Sequence, residues 1–249
     1  VHDRVVPQAD QPYYRADLAR VHHLGFGFHA DACAPGILAL LEPVRARAGL
    51  VVELGCGSGR LTRHLLDAGH RVLATDASPA MLDLARAHAP EAEIRRLTLP
   101  TDAVPEADAV VSVGHVLNYL PDERSVRAAL ASAADALRPG GVMALDLCDL
   151  AWGELRRNAP VQATVHDDWV IITRFSLPSP DSFGRDMTTF LRNDDESWRR
   201  DDEHHDTVLI DTSAVPELLA SHGVEATVGP AFGAEQLPPG LVAVTGHRP

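Results

Sequence analysis

Three glycines at alternate positions, Gly55, Gly57 and Gly59, follow an apolar run that closes on Glu53-Leu54 and lead directly into a helical pattern. Without Cβ atoms they tolerate positive φ and let a ligand approach the backbone closely. The next apolar run, 71–75, ends in Asp76. An acidic residue at the end of a second parallel strand is placed to hydrogen-bond the hydroxyls of a ribose. The pairing of turn and carboxylate predicts a nucleoside-bearing ligand held by Glu53, Gly55, Cys56, Gly57, Asp76 and Ala77. The competing reading makes Asp76 a cap for the helix that begins at Ser78-Pro79, but a cap does not account for the glycine turn upstream. In a nicotinamide or flavin fingerprint the third glycine falls where this chain has Arg60. A phosphate-cradling P-loop needs Gly-Lys-Ser/Thr, and the chain contains no lysine. Cys56, inside the turn, reads as a small filler beside the ligand and not as a nucleophile.

Proton transfer could fall to His115, which follows Gly114 at the carboxyl end of an apolar run, the edge at which open α/β sheets bind ligands. An imidazole titrates near neutrality, so His115 is a candidate base; its alternative role is to pack or position. Asn118 and Tyr119, one turn further on, could orient a substrate, although Tyr119 could equally be core. Glu203 and His205 are two apart, so on a strand they share one face while His204 takes the other. They would then form an acid–imidazole pair in a pocket, against the bland reading of a solvated charge run over 194–206. Neither His22-His23 nor His204-His205 has a zinc-ligand spacing, so no metal is expected.

These residues need a scaffold. From Gly49 onward, short apolar runs alternate with helix-period segments, the pattern of parallel strands buried on both faces. Strands are predicted near 50–54, 71–75, 92–97, 108–114 and 141–147, with helices near 58–68, 79–88 and 122–138, the last stopped by Pro139-Gly140-Gly141. After Asp149 the pattern changes to β-period alternation, and Trp152, Trp169 and Trp198 all fall within that stretch. Strands near 161–167, 169–177, 185–192 and 198–210 are expected there, as an antiparallel insertion. A helix at 213–222 and strands at 224–228 and 241–246 close the chain. Residues 1–20, with Pro7, Pro12 and Tyr13-Tyr14, read as an arm folded over the ligand.

Composition narrows the partners. The formal charge is −13, and all 22 basic residues are arginine. So acidic a chain repels phosphate backbones, so nucleic acid is not expected as a partner. No apolar run approaches the roughly 18–20 residues that span a bilayer, and the opening Val-His-Asp-Arg lacks a secretory pattern, so no membrane partner is expected. Three cysteines, far apart and without a Cys-x-x-Cys pair, suggest a reducing cytoplasm and no disulfide framework. The absence of lysine removes Schiff-base chemistry.

Residues 51–60 (Val-Val-Glu-Leu-Gly-Cys-Gly-Ser-Gly-Arg), 74–82 (Ala-Thr-Asp-Ala-Ser-Pro-Ala-Met-Leu), 109–120 and 137–147 occur in the order of four motifs of the class I S-adenosylmethionine-dependent methyltransferases, which the chain resembles over roughly residues 45–150. Further segments resemble a small-molecule subgroup: His22 to Gly27, Leu117-Asn-Tyr-Leu120, Trp198-Arg-Arg200 with Glu203 and His205, and Leu237 to Val244. The resemblance implies an α/β, doubly wound, Rossmann-like sheet of seven strands ending in an antiparallel hairpin, with the β insertion covering the active site. It implies an N-terminal arm and helical lid at 1–44, a cofactor-binding core at 45–150, an acceptor cover at 151–211, and a closing helix and hairpin at 212–249. S-adenosylmethionine is then the cofactor. Tyr13, Tyr14, His23 and Phe26 would close over it, with Met81, Thr98, Leu99, Gly114 and His115 completing its seat and Asp102 a possible partner for the adenine. His115, Glu203 and His205 are the catalytic candidates, and Asn118, Tyr119, Trp169, Glu203 and His205 the substrate-binding ones. The expected activity is methylation of a small molecule at O or N, in secondary metabolism, by a cytoplasmic monomer or homodimer. A C-methyltransferase and a non-catalytic, cofactor-binding regulator are the alternatives. A nicotinamide-dependent oxidoreductase is disfavoured by the glycine spacing and by the lack of a Tyr-x-x-x-Lys pair.

Overall fold

The computed structural model describes residues 13–249. Residues 1–12, including Pro7 and Pro12 of the expected arm, lie outside the described part. The chain enters through three helices, α1 (Ala16–Gly25), α2 (Phe28–Leu40) and α3 (Glu42–Ala46). Then come β1 (Leu50–Leu54), α4 (Arg60–Asp67), β2 (Arg71–Asp76), α5 (Pro79–His88), β3 (Glu93–Arg96), β4 (Ala107–Ser112), a 3-10 turn (Val116–Tyr119), α6 (Glu123–Asp135) and β5 (Leu137–Cys148). After α7 (Leu150–Arg156), four strands follow: β6 (Gln162–Val165), β7 (Trp169–Ser179), β8 (Ser182–Arg192) and β9 (Trp198–Val208). The last elements are α8 (Val215–Ser221), β10 (Glu225–Gly229) and β11 (Leu241–His247).

Seven strands form the main sheet in the order β10-β11-β5-β4-β1-β2-β3. Its first five strands in sequence run parallel, while β11 is antiparallel to both β5 and β10. Alternation along β1 divides the core: Val51 faces the layer of Ile37, Leu41, Leu61 and Leu65, and Val52 faces that of Leu117, Val126, Leu130 and Leu219. The sheet is thus covered by α2 and α4 on one face and by α6 and α8 on the other, as buried parallel strands require. Local signals fix the helix starts. Ser78 Oγ accepts from Met81 N, with Pro79 in the first turn of α5, and Asp122 accepts from Ser125 N at the start of α6.

The insertion is a separate antiparallel sheet in the order β6-β7-β8-β9. Part of its inner face packs on α1: Trp169, Ile171, Met187 and Leu191 bury Leu18 and Val21. A Cβ on Gly25 would stand 2.5 Å from the Trp169 ring, so this packing requires glycine.

The structure departs from the sequence reading at one boundary. Pro139-Gly140-Gly141 does not stop α6, which ends at Asp135, but lies inside β5, where the β4–β5 register shifts between Ala107 and Ala109. A bulge absorbs a proline that cannot donate to the ladder. The helices α2 and α3 stand in the stretch for which sequence gave only an arm and lid, because α2 is apolar almost all round and lacks a periodic stripe.

Candidate active site

A cavity of about 550 Å3 opens at the carboxyl ends of β1, β2 and β4. Its floor is the glycine turn, where Gly55, Gly57 and Gly59 have φ of 66°, 53° and 82°. The glycines around the cavity serve different ends. A Cβ on Gly55 would lie 2.4 Å from Val116, so this glycine is demanded by packing. At Gly57 the nearest atom is Met81 Sδ at 4.0 Å, and at Gly114, with φ of 97°, nothing lies within 4 Å. Both front open space on the cavity wall, as a backbone that receives a ligand must.

Asp76 edges the same wall. Its carboxylate accepts from Gly57 N at 2.9 Å and Ser78 N at 2.8 Å, joining the turn to the start of α5. Ser78, not Asp76, provides the side-chain cap of α5. Burial raises the Asp76 carboxyl above its usual range, against the lowering effect of those N–H donors. Ala77, Met81, Thr98 and Leu99 complete this end, together with Leu97 and Arg96. Asp102 accepts from Thr98 N at 2.8 Å, so its carboxylate is turned toward its own loop.

The opposite end is closed by Tyr13, Tyr14, His22 and Tyr119. Tyr14 and Arg15 donate their backbone N–H groups to the two oxygens of Glu203, at 2.9 and 2.8 Å, and Ser78 Oγ donates to the Tyr14 carbonyl at 2.8 Å. The chain around Tyr14 is therefore clipped to both the insertion and α5. His205 donates to the same Glu203 carboxylate at 2.8 Å, confirming that the two side chains share a face, while His204 bonds Asp186 and Asp206 on the other. Tyr13, Tyr14 and Tyr119 surround the His205 ring, with centroids at 4.3, 4.9 and 5.7 Å.

His115 sits in the left-handed region, φ 48°, at the start of the 3-10 turn. Asp146, buried at the end of β5, accepts from Gly114 N at 3.0 Å and His115 N at 2.6 Å, and pairs with His29 at 2.8 Å. One carboxylate thus shapes the turn after β4. The His115 ring stacks on Tyr119 at 5.3 Å, and burial, reinforced by the Arg185 cation, lowers its pKa to about 3. Such an imidazole is neutral at physiological pH and weakly basic.

Several residues singled out by sequence stand away from the cavity. Glu53 lies beneath the turn and Cys56, within it, buries its side chain; Glu53 accepts from Thr62 Oγ1 at 2.6 Å, and burial pushes its carboxyl up to about 8. Asn118 is fully buried and its amide is consumed: Nδ2 donates to the Cys148 and Val208 carbonyls, and Oδ1 accepts from Cys148 N. It clamps β5 to the insertion and has no group left for a substrate. Trp169 belongs to the small core over α1, and Phe26 packs against that core. His23 neighbours His88 and Arg60 instead of the cavity. Arg185, Asp146 and His22 were missed, as was the bond from Ser78 to the Tyr14 carbonyl. Their partners here are distant in sequence, and no local spacing marks them.

This fold, with a glycine turn, a carboxylate after β2 and a cavity between them, defines the class I S-adenosylmethionine-dependent methyltransferases. Residues 51–141 match the family model described as a methyltransferase domain. A protein of Geobacillus sp. named as a methyltransferase is 26% identical over 72% of this chain and 75% of its own length. The ubiquinone biosynthesis O-methyltransferase of Xanthomonas axonopodis is 33% identical over 44% of this chain and 46% of its own, so this chain spans about half of that relative. Among solved structures, the sugar N-methyltransferase of a Streptoalloteichus species superposes with a TM-score of 0.77 at 19% identity, covering 100% of this chain and 99% of that one. A methyltransferase of Clostridium acetobutylicum gives 0.74 at 15% identity over 92% and 96%. At these identities the structures speak for fold. Residues 51–141 carry a methyltransferase domain, the chain has the class I S-adenosylmethionine-dependent methyltransferase fold, and the protein is an enzyme with S-adenosylmethionine as its cofactor. No helix among the described residues is long and apolar enough to cross a membrane.

Proposed function

We propose that the protein transfers the methyl group of S-adenosylmethionine to oxygen or nitrogen of a small molecule in secondary metabolism. The observation that carries this reading is the two-ended cavity, with the glycine turn and Asp76 at one end and Tyr13, Tyr14, His22 and Tyr119 at the other. Gly55, Gly57, Asp76, Ala77, Met81, Thr98, Leu99 and Gly114 hold the cofactor, and Tyr14 and Tyr119 divide it from the acceptor. The open space before Gly57 and Gly114 is the cradle that a backbone-bound ligand needs. The bound cofactor supplies an electrophilic methyl on a cationic sulfur. Tyrosine faces suit such a cation, and the chain's main contribution is alignment and exclusion of water. Names of the relatives point the same way, among them an amino pentose methyltransferase and ubiquinone O-methyltransferases.

His115 positions Tyr119 in this reading and does not take a proton, because its depressed pKa makes it a poor base. His115→Ala should therefore lower turnover by less than about tenfold, against the roughly 10²–10⁴-fold expected for a lost general base. Residues 1–44 act as arm and lid, 151–211 as acceptor cover, and 45–150 with 212–249 as the core. Three free, buried cysteines support a reducing, cytoplasmic setting. A monomer or homodimer would serve this chemistry, and the charge of −13 weighs against nucleic acid as acceptor. The test is twofold: calorimetry with S-adenosylmethionine and S-adenosylhomocysteine, then radiolabelled methyl transfer to a panel of hydroxy and amino compounds. Binding of both nucleosides with transfer to one acceptor class is the expected result; a protein that binds neither is not a methyltransferase of this design.

A further inference from the structure

Arg185 lies on β8 directly across from His205 on β9, on the face turned toward the core. Its guanidinium donates to the Tyr119 hydroxyl and lies 5.5 Å from that ring's centroid. Its Nε is buried without a partner, and no carboxylate among the described residues forms an ion pair with it. Glu203, the acid on the same face, is already engaged by Tyr14 N, Arg15 N and His205. Asp186 and Asp206 are turned to the opposite face, where they hold His204. The remaining groups near the guanidinium are phenols, imidazoles and a thiol, Tyr14, Tyr119, His22, His115, His205 and Cys148, and none of them is a carboxylate. A half-buried cation without an anion, its Nε fully enclosed, is costly, and an apolar residue of similar volume would be the more stable choice.

Arg185 is not alone in this. Trp152 Nε1, His115 Nδ1, His205 Nδ1 and Thr207 Oγ1 are likewise buried and unpartnered. Ring contacts and strand register place them side by side. The His115 ring lies 5.8 Å from Trp152 and 5.3 Å from Tyr119, Tyr119 lies 5.7 Å from His205, and Trp152 meets Phe183, the strand partner of Thr207. Buried polar atoms ordinarily find partners, and several left over in one place mark a ligand's position. Among them the charge is positive, with an indole N–H donor beside it. In a chain of net charge −13, only a focused cation of this kind would draw in an anion.

We propose that Arg185 anchors a carboxylate or phosphate group of the methyl acceptor, with Trp152 Nε1 and Thr207 Oγ1 completing the anion seat. The inference rests on reading the adjoining cavity as the cofactor site, and it narrows the acceptor to an acidic small molecule. Arg185 would then determine specificity by orienting the acceptor through a charged, hydrogen-bonded contact.

The experiment uses the full chain with isotope-labelled arginine and tryptophan, saturated with S-adenosylhomocysteine, and follows the Arg185 side-chain and Trp152 indole N–H signals by NMR while acetate, inorganic phosphate or chloride is added. A saturable shift with acetate or phosphate, absent with chloride, is expected, and whichever ion acts at lower concentration identifies the acidic group. Read at the Trp152 indole signal, which the variant keeps, Arg185→Gln should weaken that binding by roughly thirty-fold or more, as removal of one partner of a charged contact does. Its affinity for S-adenosylhomocysteine should stay within about twofold, since Arg185 lies outside the nucleoside end. Arg185→Met should in addition melt at a higher temperature than the wild type, because it removes an uncompensated charge. No saturable response to either oxyanion, or an unchanged response in Arg185→Gln, overturns the proposal. Failure of S-adenosylhomocysteine to bind in calorimetry would instead overturn the cofactor reading, while the anion response of Arg185 is still read directly.

Discussion

At the scale of single residues, the two ends of the Asp76 carboxylate decide how the cofactor end works. It organises the turn through Gly57 N and the helix start through Ser78 N, and it still borders the cavity. Asp76→Ala should weaken S-adenosylmethionine binding by about 1.5–3 kcal/mol, the range for a lost charged hydrogen bond; unchanged affinity by calorimetry in a folded variant would remove Asp76 from the ribose site. Gly57→Val should bind still less, since a branched side chain cannot readily hold a φ of 53° and would project into the cavity. Full binding by Gly57→Val would mean that the turn is not the seat. Glu53 offers a different reading, of pH. Its folded carboxyl titrates near 8, above its unfolded value, so the neutral form is what the fold favours. That contribution is whole below the unfolded pKa of about 4.3 and is lost as pH rises through 8. Glu53→Gln keeps an acceptor for Thr62 Oγ1 and cannot ionise. Its melting temperature should gain on that of the wild type steadily between about pH 5 and 8, and a constant difference across that window would contradict a protonated Glu53.

At the scale of elements, the insertion does more than roof a pocket. One half of its face packs on α1, and the Glu203 on β9 holds the backbone at Tyr14 and Arg15. Tyr14 reaches in turn to Ser78 at the start of α5. Cofactor and acceptor halves are thus joined by the arm, although β9 is remote from the glycine turn in sequence. Glu203→Ala should therefore weaken S-adenosylmethionine binding as well as turnover, because both N–H donors lose their acceptor and the arm is released. Cofactor affinity equal to wild type in this variant would show that the arm is held by other means. Packing of α1 on β7 is just as close: Gly25→Val would drive a side chain into the Trp169 ring, 2.5 Å from the Cβ position. Overpacking of this kind costs about 1–3 kcal/mol, which denaturant unfolding would read directly.

At the scale of the whole molecule, groups buried in opposite charge preference set the pH at which the fold is most stable. His22 and His115 are held neutral by burial, with pKa values down to about 4 and about 3. Their depressed values mean that stability is whole above the unfolded pKa of about 6.5 and is lost as pH falls toward 4 and 3. Glu53 works in reverse, losing stability as pH rises toward 8. Among these three groups the two histidines outweigh the carboxyl below about pH 6.5 and the carboxyl acts alone above it, so their joint contribution to stability is greatest near pH 6.5. A melting temperature that climbs continuously from pH 5 to 9 would contradict that balance.

Sequence alone determined the parts whose physics is local. Gly55, Gly57 and Asp76 were legible because a turn needs positive φ within a few residues, and because a strand ending in an acid puts that acid at the sheet edge. The strands of the core and the insertion were legible from their apolar periodicity, and the shared face of Glu203 and His205 followed from alternation. What those side chains face is decided by packing between segments far apart in the chain. Asn118 spends its amide on Cys148 and Val208, Trp169 goes to α1 instead of a substrate, and Asp146 shapes the turn that carries His115. Arg185 is the clearest case. In sequence it is one of 22 arginines; only the folded arrangement half-buries it, places it against Tyr119 and leaves it without a counter-ion among the described residues. Burial and pairing are properties of the tertiary structure, and they decide which of many identical side chains is charged, neutral or free to bind.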